Sequence, residues 1–153
     1  MKQKNEKDHI YRVAIGFLCS LMIMVAAYGV FAADIAVIVN KNVTQDTLSE
    51  DNLKDIYLGR TTAWQNGTKV EFVILNDQLG IHEDFLKKYI GRSSAQYRNF
   101  WKKQVFTGKG RMPKQFDSEG KLLEYVSTTD GAIGYVLADT AKESSVKVLS
   151  INK

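Results

Sequence analysis

Cysteine and proline are almost absent from this chain: among its 153 residues Cys19 and Pro113 are the sole examples of their kinds. One thiol cannot close an intramolecular disulfide, and from Ala33 onward there is none, which excludes a cystine framework and a cysteine-held metal. Histidine is nearly as scarce, with His9 and His82 only. His82-Glu83-Asp84 has no second histidine at the i, i+4 spacing of helical zinc ligands, so no metal site is expected. Neither a Gly-x-Ser-x-Gly elbow nor a phosphate-loop lysine motif occurs. The chain is therefore expected to be no enzyme and to carry no cofactor.

What the front of the chain does contain is an export signal. Lys2, Lys4, Lys7 and Arg12 precede a nearly uninterrupted apolar run from Val13 to Val30, the layout of a secretory leader. Val30-Phe31-Ala32 offers small or compact residues where a signal peptidase inspects, so cleavage is expected after Ala32, leaving one domain over residues 33–153. The alternative is an uncleaved membrane anchor, because Val13–Phe31 reaches the lower length limit for spanning a bilayer. Either way the remainder is exported, to the periplasm or beyond. Leu18 before Cys19 is not the small residue that lipidation needs. Removing the leader takes four basic and two acidic residues, so the formal charge falls from +4 to +2, too little to argue for nucleic acid. Basic residues concentrate in Lys87–Lys121, spaced as a solvated helix face and loop would space them.

Hydrophobic periodicity outlines an alternation of strands and helices. Ile35-Ala-Val-Ile-Val39 suits a strand buried on both faces, and a turn-prone stretch follows it. Ser49 reads as a helix N-cap, with Glu50 and Asp51 in the first turn and Leu53, Ile56 and Tyr57 on one face; Leu48 is placed to staple against Leu53, and Gly59 stops the helix. Gln65-Asn-Gly-Thr68 is a turn, and Val70–Leu75 a second strand. A helix with Ile81, Phe85, Leu86, Tyr89 and Ile90 inward runs to Gly91. Another opens at Ser93 or Ser94 and presents Tyr97, Phe100, Trp101 and Val105 to the core. Asp117 or Ser118 caps a fourth helix carrying Leu122, Leu123 and Val126, and strands at Ala132–Val136 and Val146–Ile151 complete an α/β layered domain.

Three segments in this order, Ile56-Tyr-Leu-Gly-Arg-Thr-Thr-Ala-Trp64, Phe106-Thr-Gly-Lys-Gly-Arg111 and Gly131-Ala-Ile-Gly-Tyr-Val136, carry a family likeness. With Val37-Ile-Val-Asn40 and Leu53-Lys-Asp-Ile-Tyr-Leu-Gly59, they make the exported part similar to the second lobe of the phosphate-binding proteins of ABC transporters. It is most similar to short single-lobe homologues of those proteins. The resemblance implies a type II periplasmic binding protein lobe, a mixed sheet flanked by helices, that holds a small oxyanion. Val37–Asn40 is similar to the strand that brings the chain into the lobe, and Gly131–Val136 to the one that takes it out. One departure stands out. Where the two-lobed proteins have an Arg-Asp-Ser-Gly-Thr type of loop after the second strand, this sequence reads Asn76-Asp77-Gln78-Leu79-Gly80-Ile81-His82, without arginine or hydroxyl.

Two oxyanion sites are candidates. At the first, the amides of Gly80, Ile81 and His82 open a helix behind Asn76 and Asp77. Asp77 either caps that helix or accepts a hydrogen bond from a protonated phosphate oxygen, which sulfate could not supply. At the second, the glycines of Thr107-Gly-Lys-Gly-Arg111 let backbone approach an anion while Lys109 and Arg111 supply charge; the plainer alternative is a basic loop that ends a helix at Gly108. The expected function is capture of phosphate or a related oxyanion for an ABC permease, with a second subunit completing the cleft. The alternatives are an exported protein-interaction module that has lost the ligand, or a tethered sensor if the leader is retained.

Overall fold

The structure is a computed structural model, and it describes residues 34–142 and 145–153. The expected leader, its cleavage point and Cys19 lie outside the described residues. The whole sheet, both covering layers and the hydrophobic core lie within the unit Ala33–Lys153. The polypeptide from Ala33 therefore carries the sheet, its covering helices and its core together. No helix among the described residues is long and apolar enough to cross a membrane.

Six strands form one mixed sheet in the order β2-β6-β1-β5-β3-β4, where β1 is Ile35–Val39, β2 Thr47–Ser49, β3 Glu71–Leu75, β4 Lys114–Phe116, β5 Ala132–Leu137 and β6 Lys147–Asn152. β1 runs antiparallel to β5 and to β6. The parallel pairings β2–β6, β3–β4 and β3–β5 align the other five strands in one direction. All five residues of β1 are buried, as a central strand covered on both faces requires.

The helices are α1 (Glu50–Tyr57), α2 (Gly80–Phe85, continued by a π-helical turn Leu86–Ile90), α3 (Ser94–Phe106), α4 (Glu119–Thr128) and the short α5 (Ala138–Lys142). Their starts follow local chemistry. The Ser49 hydroxyl accepts from the Asn52 amide, Ser93 and Gln96 form a reciprocal capping box, and of the two expected caps on α4 it is Ser118 that accepts, from Lys121. Tyr57, Phe85 and His82 gather around Tyr135 on one face of the sheet, with the Phe85 and Tyr135 rings stacked at 3.7 Å between centroids. On the opposite face lies α4, because Gly134, the neighbour of Tyr135, lets Leu122 and Val126 press onto β5: a Cβ there would sit 2.6 Å from Leu122. Asn40, buried at the end of β1, donates to the carbonyls of Val126 and Ser127 at 2.9 and 3.1 Å and so ties α4 down.

Three elements lie where the sequence signals none: β2 inside the turn-prone stretch, β4, and α5. Val105, expected in the core, is 43% exposed: it lies in the last turn of α3, beyond Tyr97 and Trp101, the buried residues of that helix. The Gln65–Thr68 turn forms as expected, closed by the Trp64 amide on the Thr68 carbonyl at 2.8 Å.

Gly131 turns the chain into β5 with φ +69°, and its carbonyl accepts from the Trp64 indole at 2.9 Å and the Glu71 amide at 3.1 Å. A Cβ at Gly131 would meet the Lys69 carbonyl oxygen at 2.1 Å, whereas one at Gly91, also left-handed at φ +70°, would meet open space. Gly91→Ala should therefore cost about 1–2 kcal/mol of unfolding free energy from backbone strain alone. Gly131→Ala should cost upward of roughly 4 kcal/mol, because backbone must also move. Urea unfolding of the two variants side by side measures the difference.

Candidate functional site

Two crossover connections leave neighbouring strands on opposite faces of the sheet. From β3 the chain passes through α2 and α3 on the Tyr135 face to reach β4; from β4 it passes through α4 on the Gly134 face to reach β5. Between two parallel strands whose connections part in this way a crevice opens at the carboxyl ends, where open α/β sheets bind ligands. A hollow of about 330 Å³ lies there, lined by Asn76 from the end of β3 and by Gln115, Phe116, Asp117 and Lys121 from β4 and the start of α4.

Its donors are few and defined. The Asn76 amide is spent on the Phe116 carbonyl at 2.9 Å, and its side-chain oxygen accepts from the Gln78 amide at 3.1 Å. The Asn76 side-chain NH₂ has no acceptor among the described residues. Lys121 Nζ lies 2.7 Å from Asp117 Oδ2, and that contact lowers the Asp117 pKa below its ordinary value. Of the first-turn amides of α4, that of Lys121 is taken by the Ser118 hydroxyl, which leaves those of Glu119 and Gly120 without an intrahelical acceptor.

Beside the crevice, the start of α2 is organised around His82. This histidine is 1% exposed; its Nδ1 lies 2.5 Å from the Tyr135 hydroxyl, which itself accepts from the Leu75 amide at 3.1 Å. With the tyrosine proton directed to Nδ1, the imidazole proton sits on Nε2, facing Asp77 Oδ1 at 3.4 Å. The other Asp77 oxygen pairs with the Arg98 guanidinium of α3. Glu83 fixes the other side of this turn, accepting from the Ser94 amide at 2.7 Å and hydroxyl at 2.5 Å and pairing with Lys87. Those hydrogen bonds, from Ser94 first, hold its pKa down to about 2.

Of the eight residues expected to bind ligand, Asn76, Asp77, Gly80, Ile81 and His82 stay together at the carboxyl end of β3, and only Asn76 lines the hollow. Asp77 is not a helix cap: the N-cap of α2 is Leu79, which makes no side-chain cap bond, and Asn76 supplies the turn while Asp77 is held by Arg98 and His82. The His82 side chain is a core group.

Thr107, Lys109 and Arg111 belong elsewhere. β4 runs parallel to β3 with Lys114 opposite Val73, so residues 107–111 precede the amino end of the pair while Asn76 follows its carboxyl end. Along α3, Thr107 lies nine residues beyond the Arg98 that pairs with Asp77, about 13 Å of helix. The Gly108 and Lys109 amides donate to the carbonyls of Val105 and Gln104, so they close the helix and have nothing left for an anion. The two expected oxyanion segments share no concavity among the described residues.

Sequence reasoning missed Gln115, Asp117 and Lys121 as crevice groups, and Arg98 as the partner of Asp77. The i, i+4 spacing of Asp117 and Lys121 was a readable signal; the Arg98 pairing, 21 residues away, leaves none. A larger hollow of about 390 Å³ beside α1 and β2 is lined by uncharged groups, among them Gln45, Thr47, Asn52, Gln65 and Asn152, and offers no cation to an oxyanion. No cluster of metal-binding side chains occurs among the described residues.

Comparison with known proteins agrees with this architecture. The chain belongs to the PBP superfamily domain family, whose model matches residues 26–152. Its fold is shared by PstS from Borrelia burgdorferi (21% identity, TM-score 0.60, 78% of this chain and 47% of that one). It is shared too by a protein from Clostridium perfringens described as a phosphate ABC transporter substrate-binding protein and solved with phosphate bound (22%, 0.61, 77% and 44%). A third is an ABC-type phosphate transport receptor from Vibrio cholerae (18%, 0.61, 78% and 46%). The chain spans less than half the length of each.

Burial lowers the His82 pKa to about 4, outweighing the raising influence of Glu83. The unfolded chain takes up that proton near pH 6.5, so between the two values the unfolded state binds more protons. The stability this neutral imidazole contributes is complete above pH 6.5 and is lost as pH falls toward 4. Urea midpoints at pH 7, 6 and 5 should fall in the parent protein. His82→Phe should start lower, by about 1–2 kcal/mol for the stranded Tyr135 hydroxyl, and show a shallower slope.

Proposed function

We propose that this chain is an exported, non-enzymatic solute-binding protein that holds phosphate or a related oxyanion at the β3–β4 crevice for an ABC transporter. The observation that carries the reading is the position of the crevice, a polar hollow at the switch point of the sheet, flanked by the first turn of α4. Lys121 supplies the charge, the Asn76 and Gln115 side chains and the α4 amides supply neutral donors, and the helix dipole adds to them. Asp117, held ionised by Lys121, takes the discriminating part the sequence suggested for Asp77: it accepts from a protonated phosphate oxygen and repels sulfate. The described lobe leaves the anion half solvated, where screening weakens each contact, and a permease or other surface that covers the crevice would strengthen them. The kinship with phosphate-binding structures supports this choice of ligand.

A second reading, an interaction module without ligand, is favoured by one observation: the single cation of the crevice is already paired with a carboxylate.

Calorimetry of the polypeptide from Ala33 at low salt, with inorganic phosphate and with sulfate, separates them. Phosphate should bind saturably. Lys121→Ala should weaken it about tenfold or more, the loss expected for one charge-assisted hydrogen bond. Arg111→Ala should leave it unchanged, and Asp117→Asn should narrow the preference over sulfate. Heat from neither anion would reject the first reading and leave the second.

A further inference from the structure

The far end of α3 carries surface that oxyanion capture does not use. Among the described residues four large apolar side chains are exposed, and three of them, Val105 at 43%, Phe106 at 91% and Met112 at 45%, lie within eight residues of one another. The segment is seated rather than loose. The Gly108 and Lys109 amides bond back to the helix, and Gly110 rests on the Trp101 ring so closely that a Cβ there would come within 2.9 Å. The fold thus holds an aromatic side chain out in water, at a cost that no contact among the described residues offsets.

Charge along this stretch of the chain is of one sign. From Phe85 to Phe116 the sequence has nine lysines and arginines and no acidic residue. Lys87 pairs with Glu83 and Arg98 with Asp77, whereas Lys102, Lys103, Lys109 and Arg111 have no acidic partner among the described residues. The exposed apolar group and the unpaired cations therefore coincide.

We propose that this tip, Phe106 with Val105 and Met112 inside a ring of Lys102, Lys103, Lys109 and Arg111, docks onto an anionic lipid surface. A stable protein interface takes roughly 20–30 residues from each partner, whereas the stretch from Lys102 to Met112 has eleven. A bilayer needs no matching shape: the aromatic ring settles at the headgroup level while the cations stay among anionic headgroups.

Co-sedimentation of the polypeptide from Ala33 tests this, with vesicles of equal parts phosphatidylglycerol and phosphatidylcholine against phosphatidylcholine alone. The mixed vesicles should bind it, and less so as salt rises. Each of the four cations replaced by alanine should weaken binding about fivefold. Phe106→Ser should weaken it severalfold while leaving the salt dependence intact. All five side chains are exposed, so thermal midpoints should not move, which separates lost docking from lost folding. Equal binding to both vesicle types, binding undiminished in the fourfold alanine variant, or no vesicle binding would each overturn the proposal. In the last case, a concentration-dependent dimer abolished by Phe106→Ser would assign the tip to a second copy.

Discussion

The hydroxyl of Tyr135 is the point on which the architecture around the crevice depends. The β3–β5 ladder pairs Glu71 with Ala132 and Phe72 with Ile133. Further along, at Leu75, the β3 amide donates to the phenol of Tyr135, which in turn donates a hydrogen bond to His82. A single group thus holds the end of β3, the start of α2 and, through ring stacking with Phe85, the centre of the core. Burial raises the Tyr135 pKa well beyond the phenol range, so the donor is never lost to ionisation. Once the end of β3 is fixed, Asn76 and the mouth of the crevice are fixed with it.

From that anchor a line of polar groups runs outward, from Tyr135 through His82 and Asp77 to Arg98 on α3. It binds the helical layer to the carboxyl edge of the sheet. The loop after β3 has no guanidinium of its own; Arg98 brings one from α3 and holds Asp77 with it. The crevice is lined by a second ion pair, Asp117 with Lys121.

How much of this was legible in the residues depended on whether the signal was local. Ser49, Ser93 and Ser118 announced three helices, because a cap is satisfied by an amide two or three residues on. Ile35–Val39 announced a doubly covered strand by being apolar throughout. β2 and β4 are three-residue edge strands whose side chains are mostly exposed, and pairing with distant partners, not periodicity, makes them strands. The same limit governed the site. The glycines and cations of Thr107–Arg111 fit an anion loop and a helix stop equally well in sequence. Only the parallel register of β4 on β3 reveals that they stand at the opposite end of the sheet from Asn76. Asn76 was named because it follows a strand directly, and it lines the hollow.

That register also divides labour along α3. The helix begins beside the residues that support the crevice and ends at the basic apolar tip, with three and a half turns of rigid backbone between. Whatever grasps one end leaves the other unobstructed. The two surfaces share no atoms, so the proposed docking and the proposed oxyanion capture would not compete.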